Sequence, residues 1–210
     1  MHEASTGEAS TRDEHDVALQ VARRSASGRL GTYAGEVRRL LDAALTVMQR
    51  TDTLDPPVRE IVRVAGLSNQ AFYRHFPSKD ALLVALLDDG QRRLVTTLER
   101  RMARVEPGAG RVRAWIEGVL AQCADATAAA ATRPFAVNAA RLAELYPAET
   151  AASAERLVAP LRAELDDRRD ARAIHELAMG TMHRHLLART APTRDEVEHL
   201  VDFALAGTRR

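Results

Sequence analysis

Apolar residues recur at helical spacing along most of the chain from about residue 35 onward. Residues spaced by three or four positions share one helix face, so each such run predicts an amphipathic helix. The first firm run covers about residues 35–50, with Arg38, Arg39 and Asp42 off the apolar stripe. Further helices are predicted over about residues 79–105, 111–131, 134–145, 148–167, 170–189 and 193–207. No segment alternates apolar and polar residues as a strand does, so the sequence predicts an all-α fold.

Between the first run and the long helix that follows it lie two short helices joined by a glycine turn. Residues 58–65 carry apolar positions at i, i+3, i+4 and i+7. Gly66 stands where a helix ends in the left-handed conformation, which glycine adopts without steric cost. Ser68 is an N-cap candidate for the second helix, and Pro77 ends that helix. Two helices around a tight turn, the second with a polar outer side, are typical of a helix-turn-helix that enters the DNA major groove.

Several other residues predict where helices begin and end. Asp55 is expected to cap residues 58–65, with Pro56 at the first helical position, and Ser78 is expected to cap the long helix. Pro134 is expected to separate two helices, because proline removes a backbone donor and clashes with the preceding turn. Thr193, followed three positions later by a glutamate, predicts a capping box at the start of the last helix.

Composition narrows the class of protein. The chain is 46% hydrophobic and 28% charged, which is typical of a globular domain, and its aromatic content is only 4%. Cys123 is the only cysteine, so the chain has no internal disulfide and no cysteine-based zinc site. No apolar run approaches the roughly 20 residues of a membrane span, and the N-terminus lacks the apolar segment of a signal peptide. These features predict a cytoplasmic protein without membrane contact.

Residues 1–32 lack sustained periodicity and are rich in small, polar and charged residues, so we expect a disordered N-terminal arm. Arg23, Arg24 and Arg29 lie just before the first firm helix. Such an arm either remains a solvated tail or reaches into a minor groove.

The first third of the chain resembles the TetR family of bacterial transcription regulators. The resemblance covers about residues 35–87 and is carried by Ala65-Gly66-Leu67-Ser68 and by the segment from Phe72 to Leu82, FYRHFPSKDAL. The remaining helical region is similar to that family in length and character only. Pro56-Pro57 is a departure, because the family usually opens this helix with a threonine or serine that contacts phosphate. We expect Arg59 to substitute for that contact.

The resemblance implies a set of DNA contacts. Residues at the start of the recognition helix would face base edges, and asparagine and glutamine can pair bidentately with adenine. Tyr73 and His75 would touch the sugar-phosphate backbone, and Lys79 would hold a phosphate at the amide end of its helix. Lys79 is the only lysine among 30 basic residues, which reflects either arginine bias or a need for a compact ammonium there. The expected DNA-binding residues are Arg59, Ser68, Asn69, Gln70, Ala71, Tyr73, Arg74, His75 and Lys79.

For the second half, the resemblance implies a small-molecule effector of unknown identity and a homodimer formed by the last two long helices. A symmetric dimer suits a roughly palindromic double-stranded operator. A zinc site is disfavoured, because Met179 occupies the position where a His-Glu-x-x-His motif beginning at His175 needs its second histidine. We expect no metal and no cofactor. The candidate effector residues, each of which is alternatively a packing residue, are Trp115, Cys123, Phe135, Asn138, His175, Met179 and His183.

The sequence therefore predicts an arm over residues 1–32, a three-helix DNA-binding domain over residues 33–80, and an effector-binding and dimerisation domain over residues 81–210. The leading hypothesis is a transcriptional repressor that leaves its operator when a ligand binds. An activator and an effector-independent regulator are alternatives within the same family. A helical adaptor without DNA binding is the alternative from a different class, and no nucleophile–base pair or cofactor loop favours an enzyme.

Overall fold

The computed structural model describes residues 31–51 and 55–208, so residues 1–30 of the predicted arm, with its three arginines, lie outside the described residues, whereas residues 31 and 32 are helical. The described chain is helical and contains no strand, which confirms the predicted all-α class. The first helix, α1, covers residues 31–51. The others are α2 Val58–Ala65, α3 Asn69–His75, α4 Lys79–Met102, α5 Ala109–Ala124, α6 Ala126–Leu145, α7 Pro147–Arg162, α8 Arg168–Ala188 and α9 Arg194–Gly207.

Most of the predicted helix ends are confirmed. Gly66 has φ 63°, in the left-handed region, and the hydroxyls of Ser68 and Ser78 accept hydrogen bonds from Ala71 N and Ala81 N at 3.1 Å. The Thr193 hydroxyl accepts from Glu196 N at 3.2 Å. In a complete capping box the Glu196 carboxylate would accept a hydrogen bond from the Thr193 backbone N–H. Among the described residues this carboxylate instead binds the side chains of Arg184 and His185 in α8.

Two predicted boundaries are wrong. Pro134 lies inside α6, and the break falls at Asp125, whose carboxylate accepts from Ala128 N at 2.8 Å. The cap and the buried packing of Pro134 outweigh the backbone bond that proline loses. Asp55 does not cap α2, which has Pro57 at its N-cap position and no side-chain cap; Asp55 pairs with Lys79 instead.

The buried apolar residues form two cores. The first joins α1, α2, α3 and the start of α4, and it includes Phe72, Phe76 and Leu142 of α6. The second joins the end of α4 with α5 to α9 around the fully buried Trp115. Helix α4 therefore runs from one core into the other, from Leu82 at its start to Leu98 near its end. The boundary predicted at residues 80 and 81 falls at the start of this shared helix.

None of the helices in the described ranges is long and apolar enough to cross a membrane.

Candidate functional site

The α2–α3 pair is held on its inner side by aromatic packing. Phe72 is completely buried and Phe76 is 7% exposed, and their ring centroids lie 5.9 Å apart. Ile61 of α2 is also completely buried in the same core. Because the inner side of α3 is fixed on this apolar base, the direction in which its outer side chains point is also fixed.

The outer side of α3 is polar and accessible. Ser68, Asn69, Gln70 and Arg74 are exposed, and the Tyr73 residue is 58% exposed. This surface combines amide, hydroxyl and guanidinium groups, which are the groups that contact base edges and phosphates. Ala71 is a correction to the sequence prediction, because it is only 6% exposed and packs toward the core.

His75 is also corrected. Its side chain has no exposed surface, and its Nε2 lies 2.6 Å from an oxygen of Glu36 in α1. The same carboxylate accepts from Arg74 Nη2 at 2.5 Å, and the Tyr33 ring meets the His75 ring edge-on at 4.3 Å between centroids. Hydrogen bonds from His75 and then Arg74 lower the pKa of the Glu36 carboxyl. His75 therefore fastens α3 to α1 and does not reach the surface as a phosphate contact.

The helices before and after α3 each carry an accessible cation. Lys79 is the first residue of α4, its side chain is 37% exposed, and its Nζ is paired with Asp55. Arg59 lies exposed on α2. The first turn of α4 also presents backbone N–H groups, one of which is capped by Ser78. Accessible cations and unpaired helix N–H groups of this kind suit contacts with phosphates.

A cavity of about 630 Å³ lies in the second half of the molecule. Its walls come from α4, α6, α7 and α8, with one residue each from α1 and α5. The size is that of a site for a drug-sized molecule, and such sites are mostly apolar with a few polar groups. The apolar side chains on its walls include Leu86, Leu94, Phe135, Leu142, Leu157, Met179 and Met182.

Three of the seven candidate effector residues line this cavity, namely Phe135, Met179 and His183. Trp115 belongs instead to the core, where its Nε1 donates to the Leu157 carbonyl at 3.1 Å. Cys123 is buried, and burial raises the pKa of its thiol. These two residues are therefore packing residues, which is the alternative that the sequence left open for each effector candidate.

Asn138 and His175 also lie outside the lining. Asn138 Nδ2 donates to the Pro134 carbonyl at 3.2 Å, within its own helix. His175 is 6% exposed beside Trp115, with ring centroids 6.2 Å apart. Burial lowers the pKa of both His175 and His183, so both imidazoles are favoured in the neutral form. Within the described residues no three histidine, cysteine, aspartate or glutamate side chains come together as a metal site.

Sequence reasoning missed the polar lining contributed by α4. Asp89, Gln91 and Arg93 all line the cavity. The apolar stripe of α4 passes from Leu87 directly to Leu94, and three of the five polar residues in that interruption line the cavity. A gap in the apolar stripe of a long helix was the signal available in the sequence.

The cavity walls are connected to the α1–α3 domain by polar contacts. Asp89 accepts from Arg38 of α1 at 3.0 Å, so a residue of the cavity lining also fastens α1. Helix α6 forms much of another wall. Its Arg141 forms an ion pair with Asp80, in the first turn of α4, at 2.7 Å. The Tyr146 hydroxyl, just after α6, lies 3.4 Å from the Ser78 hydroxyl. A displacement of α4 or α6 would therefore act directly on the start of α4, next to the exposed side of α3.

The last two helices leave large apolar side chains on the surface. Phe203 of α9 is 66% exposed and Leu187 of α8 is 56% exposed. Phe203 is the most exposed large hydrophobic residue of the described chain, and Leu187 is the most exposed aliphatic one. Accessible apolar groups on adjacent helices are typical of a surface that another molecule covers.

Residues 40–86 match the sequence profile of the family described as bacterial regulatory proteins, tetR family. No curated protein matches the chain in sequence. Among solved structures, a candidate transcriptional regulator of Streptomyces coelicolor A3(2) is similar with a TM-score of 0.69 at 18% identity, over 83% of this chain and 99% of that one.

Two further solved structures share the architecture. A transcriptional regulator from Rhodococcus sp. Rha1 has a TM-score of 0.57 at 25% identity, over 82% of this chain and 95% of that one. A TetR transcription regulator from Haloarcula marismortui has a TM-score of 0.61 at 15% identity, over 83% of this chain and 97% of that one. At these identities the similarity concerns the fold.

Proposed function

We propose that the chain is a member of the TetR family of bacterial regulatory proteins, whose profile residues 40–86 match, and that it is a homodimeric, cytoplasmic repressor that a small molecule releases from its operator. It is a DNA-binding transcriptional regulator, in a family whose members are generally not enzymes. The observation that carries the proposal is the polar, exposed side of α3 on its buried phenylalanine base, within the segment that matches the family.

The proposed DNA contacts divide into base readout and backbone positioning. Asn69 and Gln70 lie exposed in the first turn of α3, the part of a recognition helix that contacts base edges. Tyr73, Arg74, Ser68, Arg59 and Lys79 surround them and take the phosphates. Arg74 and Lys79 each hold a carboxylate in the free protein, so DNA binding exchanges a protein carboxylate for a phosphate at both positions.

The proposed dimer forms through α8 and α9. The support is the exposure of Leu187 and Phe203, whose apolar surfaces a second copy would cover. A two-fold dimer presents two copies of α3 to DNA, and half-sites about 34–36 Å apart match one helical turn of the duplex. The operator is accordingly expected to be roughly palindromic.

The proposed release uses the two helices that border both the cavity and the DNA-binding domain. A ligand that prefers a wider cavity shifts α4 and α6, and the Arg38–Asp89 and Arg141–Asp80 pairs carry that shift to α1 and to the start of α4. The ligand lowers DNA affinity only by the ratio of its affinities for the two conformations. A ligand with equal affinity for both would leave DNA binding unchanged.

The direct test is selection of bound duplexes from a random pool, followed by footprinting on the enriched sequence. We expect a protected, roughly palindromic site and measurable competition by that site over scrambled duplex. A chain that is folded and dimeric but enriches no sequence would contradict the proposal. Reporter expression from a promoter that contains the site then separates repression from activation.

The dimer is tested by Phe203→Arg, which places a charge on the exposed part of α9. We expect sedimentation to detect a shift toward monomers and weaker binding to the palindromic site. Leu145→Arg is the matched control, because Leu145 is 48% exposed and ends α6, which is not one of the two helices of the proposed interface. Unchanged dimers in the Phe203 variant would refute the α8–α9 interface.

A further inference from the structure

The chemistry of the cavity lining restricts the ligand class. Leucine, methionine, alanine and phenylalanine side chains make up most of the walls, so the body of a bound molecule is in contact with apolar groups. The cavity volume of about 630 Å³ fits one drug-sized molecule. The few charged and polar groups of the lining then determine which polar groups the ligand can carry.

The charged groups of the lining do not suit an anion. Arg93 is paired with Asp89 at 2.6 Å, and the same carboxylate accepts from Arg38. Glu176 of α8, which also lines the cavity, adds a negative charge. Among the described residues of the lining, Arg93 is the only permanent cation and its charge is already matched. A buried carboxylate or phosphate on the ligand would therefore lack a counter-charge, which is costly in an apolar site.

The histidine of the lining does not change this balance. Burial lowers the pKa of His183, so its imidazole is neutral at ordinary pH. The neighbouring His175 contributes to that lowering and is itself shifted in the same direction. Neither ring supplies the positive charge that an acidic ligand needs.

One polar atom of the lining is without a partner. Gln91 lies on the cavity wall, and its Oε1 is buried and accepts no hydrogen bond from the described residues. A buried acceptor without a donor is unfavourable, so a ligand that supplies the donor is selected over one that does not. Discrimination by a buried polar group is stronger than discrimination by apolar contacts alone.

We propose that the cavity takes a lipophilic molecule that carries one O–H or N–H donor for Gln91 Oε1 and no acidic group. This inference rests on the proposed function, in which the cavity is the effector site. It adds the chemical class of the effector, since long-chain alcohols and amides satisfy the lining and fatty acids do not.

The test uses four probes with the same ten-carbon chain: 1-decanol, decanamide, decanoic acid and methyl decanoate. Binding to the DNA-free protein is measured by calorimetry and by thermal shift. We expect 1-decanol and decanamide, which are neutral donors, to bind at least ten times more tightly than decanoate, which is anionic, and about five to ten times more tightly than the methyl ester, which has no donor.

Gln91→Leu removes the acceptor and keeps an apolar side chain on the wall. In this variant we expect 1-decanol to lose its preference over methyl decanoate while the ester binds at least as well as before. Gln122→Leu is the matched control, because Gln122 also lines the cavity but has no buried unpartnered atom. The control should retain the wild-type preference.

Decanoate binding as tightly as 1-decanol, an unchanged preference in Gln91→Leu, or no binding of any probe to the folded protein would each overturn the inference. Release of DNA is measured separately on the selected operator. Probe binding with the expected preference but without release would support the inference and contradict the proposed release mechanism, so the two failures are distinguishable.

Discussion

Replacing Lys79 by alanine removes a charge at the junction of α3 and α4. Lys79 begins α4 and its side chain is 37% exposed, while the Asp55 side chain that it contacts is 61% exposed. An exposed ion pair of this kind contributes at most about 1 kcal/mol to the free energy of unfolding. The variant should therefore fold normally, and its effect should fall on DNA affinity.

The magnitude follows from counterion release. Each phosphate contact contributes about 0.9 to the slope of log affinity against log salt concentration. A dimer on a palindromic site uses Lys79 twice, so the slope should decrease in size by about 2. Between about 50 and 200 mM salt, a fourfold change, one contact is worth about 3.5-fold and two contacts about 12-fold. The ratio of parent affinity to variant affinity should therefore decrease by about 12-fold as the salt concentration rises from about 50 to 200 mM.

The assay is fluorescence anisotropy with the selected operator and a scrambled duplex over a salt series. Affinity for both duplexes should fall by a similar factor, because a phosphate contact does not depend on sequence. Arg92→Ala is the matched control. It removes one positive charge from the same helix about 20 Å further along, at 1.5 Å per residue, where Arg92 pairs with Asp88 at 2.6 Å. The control should leave the salt slope within about 0.5 of the parent value.

Two results would refute the reasoning. An unchanged salt slope in a folded Lys79→Ala dimer would mean that Lys79 makes no phosphate contact. A loss confined to the selected operator would mean that Lys79 takes part in base readout, directly or through the position of α3.

Two further substitutions test the recognition surface and the packing of the second core. Gln70→Ala should relax base preference at one position of each half-site by about 1–3 kcal/mol, measured by repeating the selection, and an unchanged preference would remove Gln70 from base readout. Gly118→Ala would bring a Cβ to 2.5 Å from Cδ2 of the fully buried Leu98. Although alanine has the better helix propensity, the free energy of unfolding should decrease by about 1–3 kcal/mol, measured by thermal or denaturant unfolding. Gly90→Ala, which meets nothing within 4 Å, is its control and should be neutral or stabilising by up to about 1 kcal/mol; equal effects would contradict the packing argument.

Local signals along the chain determined the helices and most of their ends. The α2–α3 turn depends on Gly66, and the starts of α3 and α4 depend on Ser68 and Ser78, all of which act within three or four residues. Interactions of that range are contained in a short stretch of sequence, so periodicity and capping chemistry are enough to predict them. The position of Phe72 and Phe76 on the inner side of α3 follows from the same helical spacing.

The tertiary structure decided which side chains are accessible and which face the cavity. His75 shares the polar character of the DNA-facing residues, but Glu36, 39 positions earlier, takes its ring out of reach of solvent. Trp115 is enclosed by α7 and α8, whereas Gln91, in a gap of the α4 stripe, borders the cavity. Accessibility and cavity lining depend on contacts between residues far apart in the chain. The spacing of residues within one helix does not determine which distant helix packs against it.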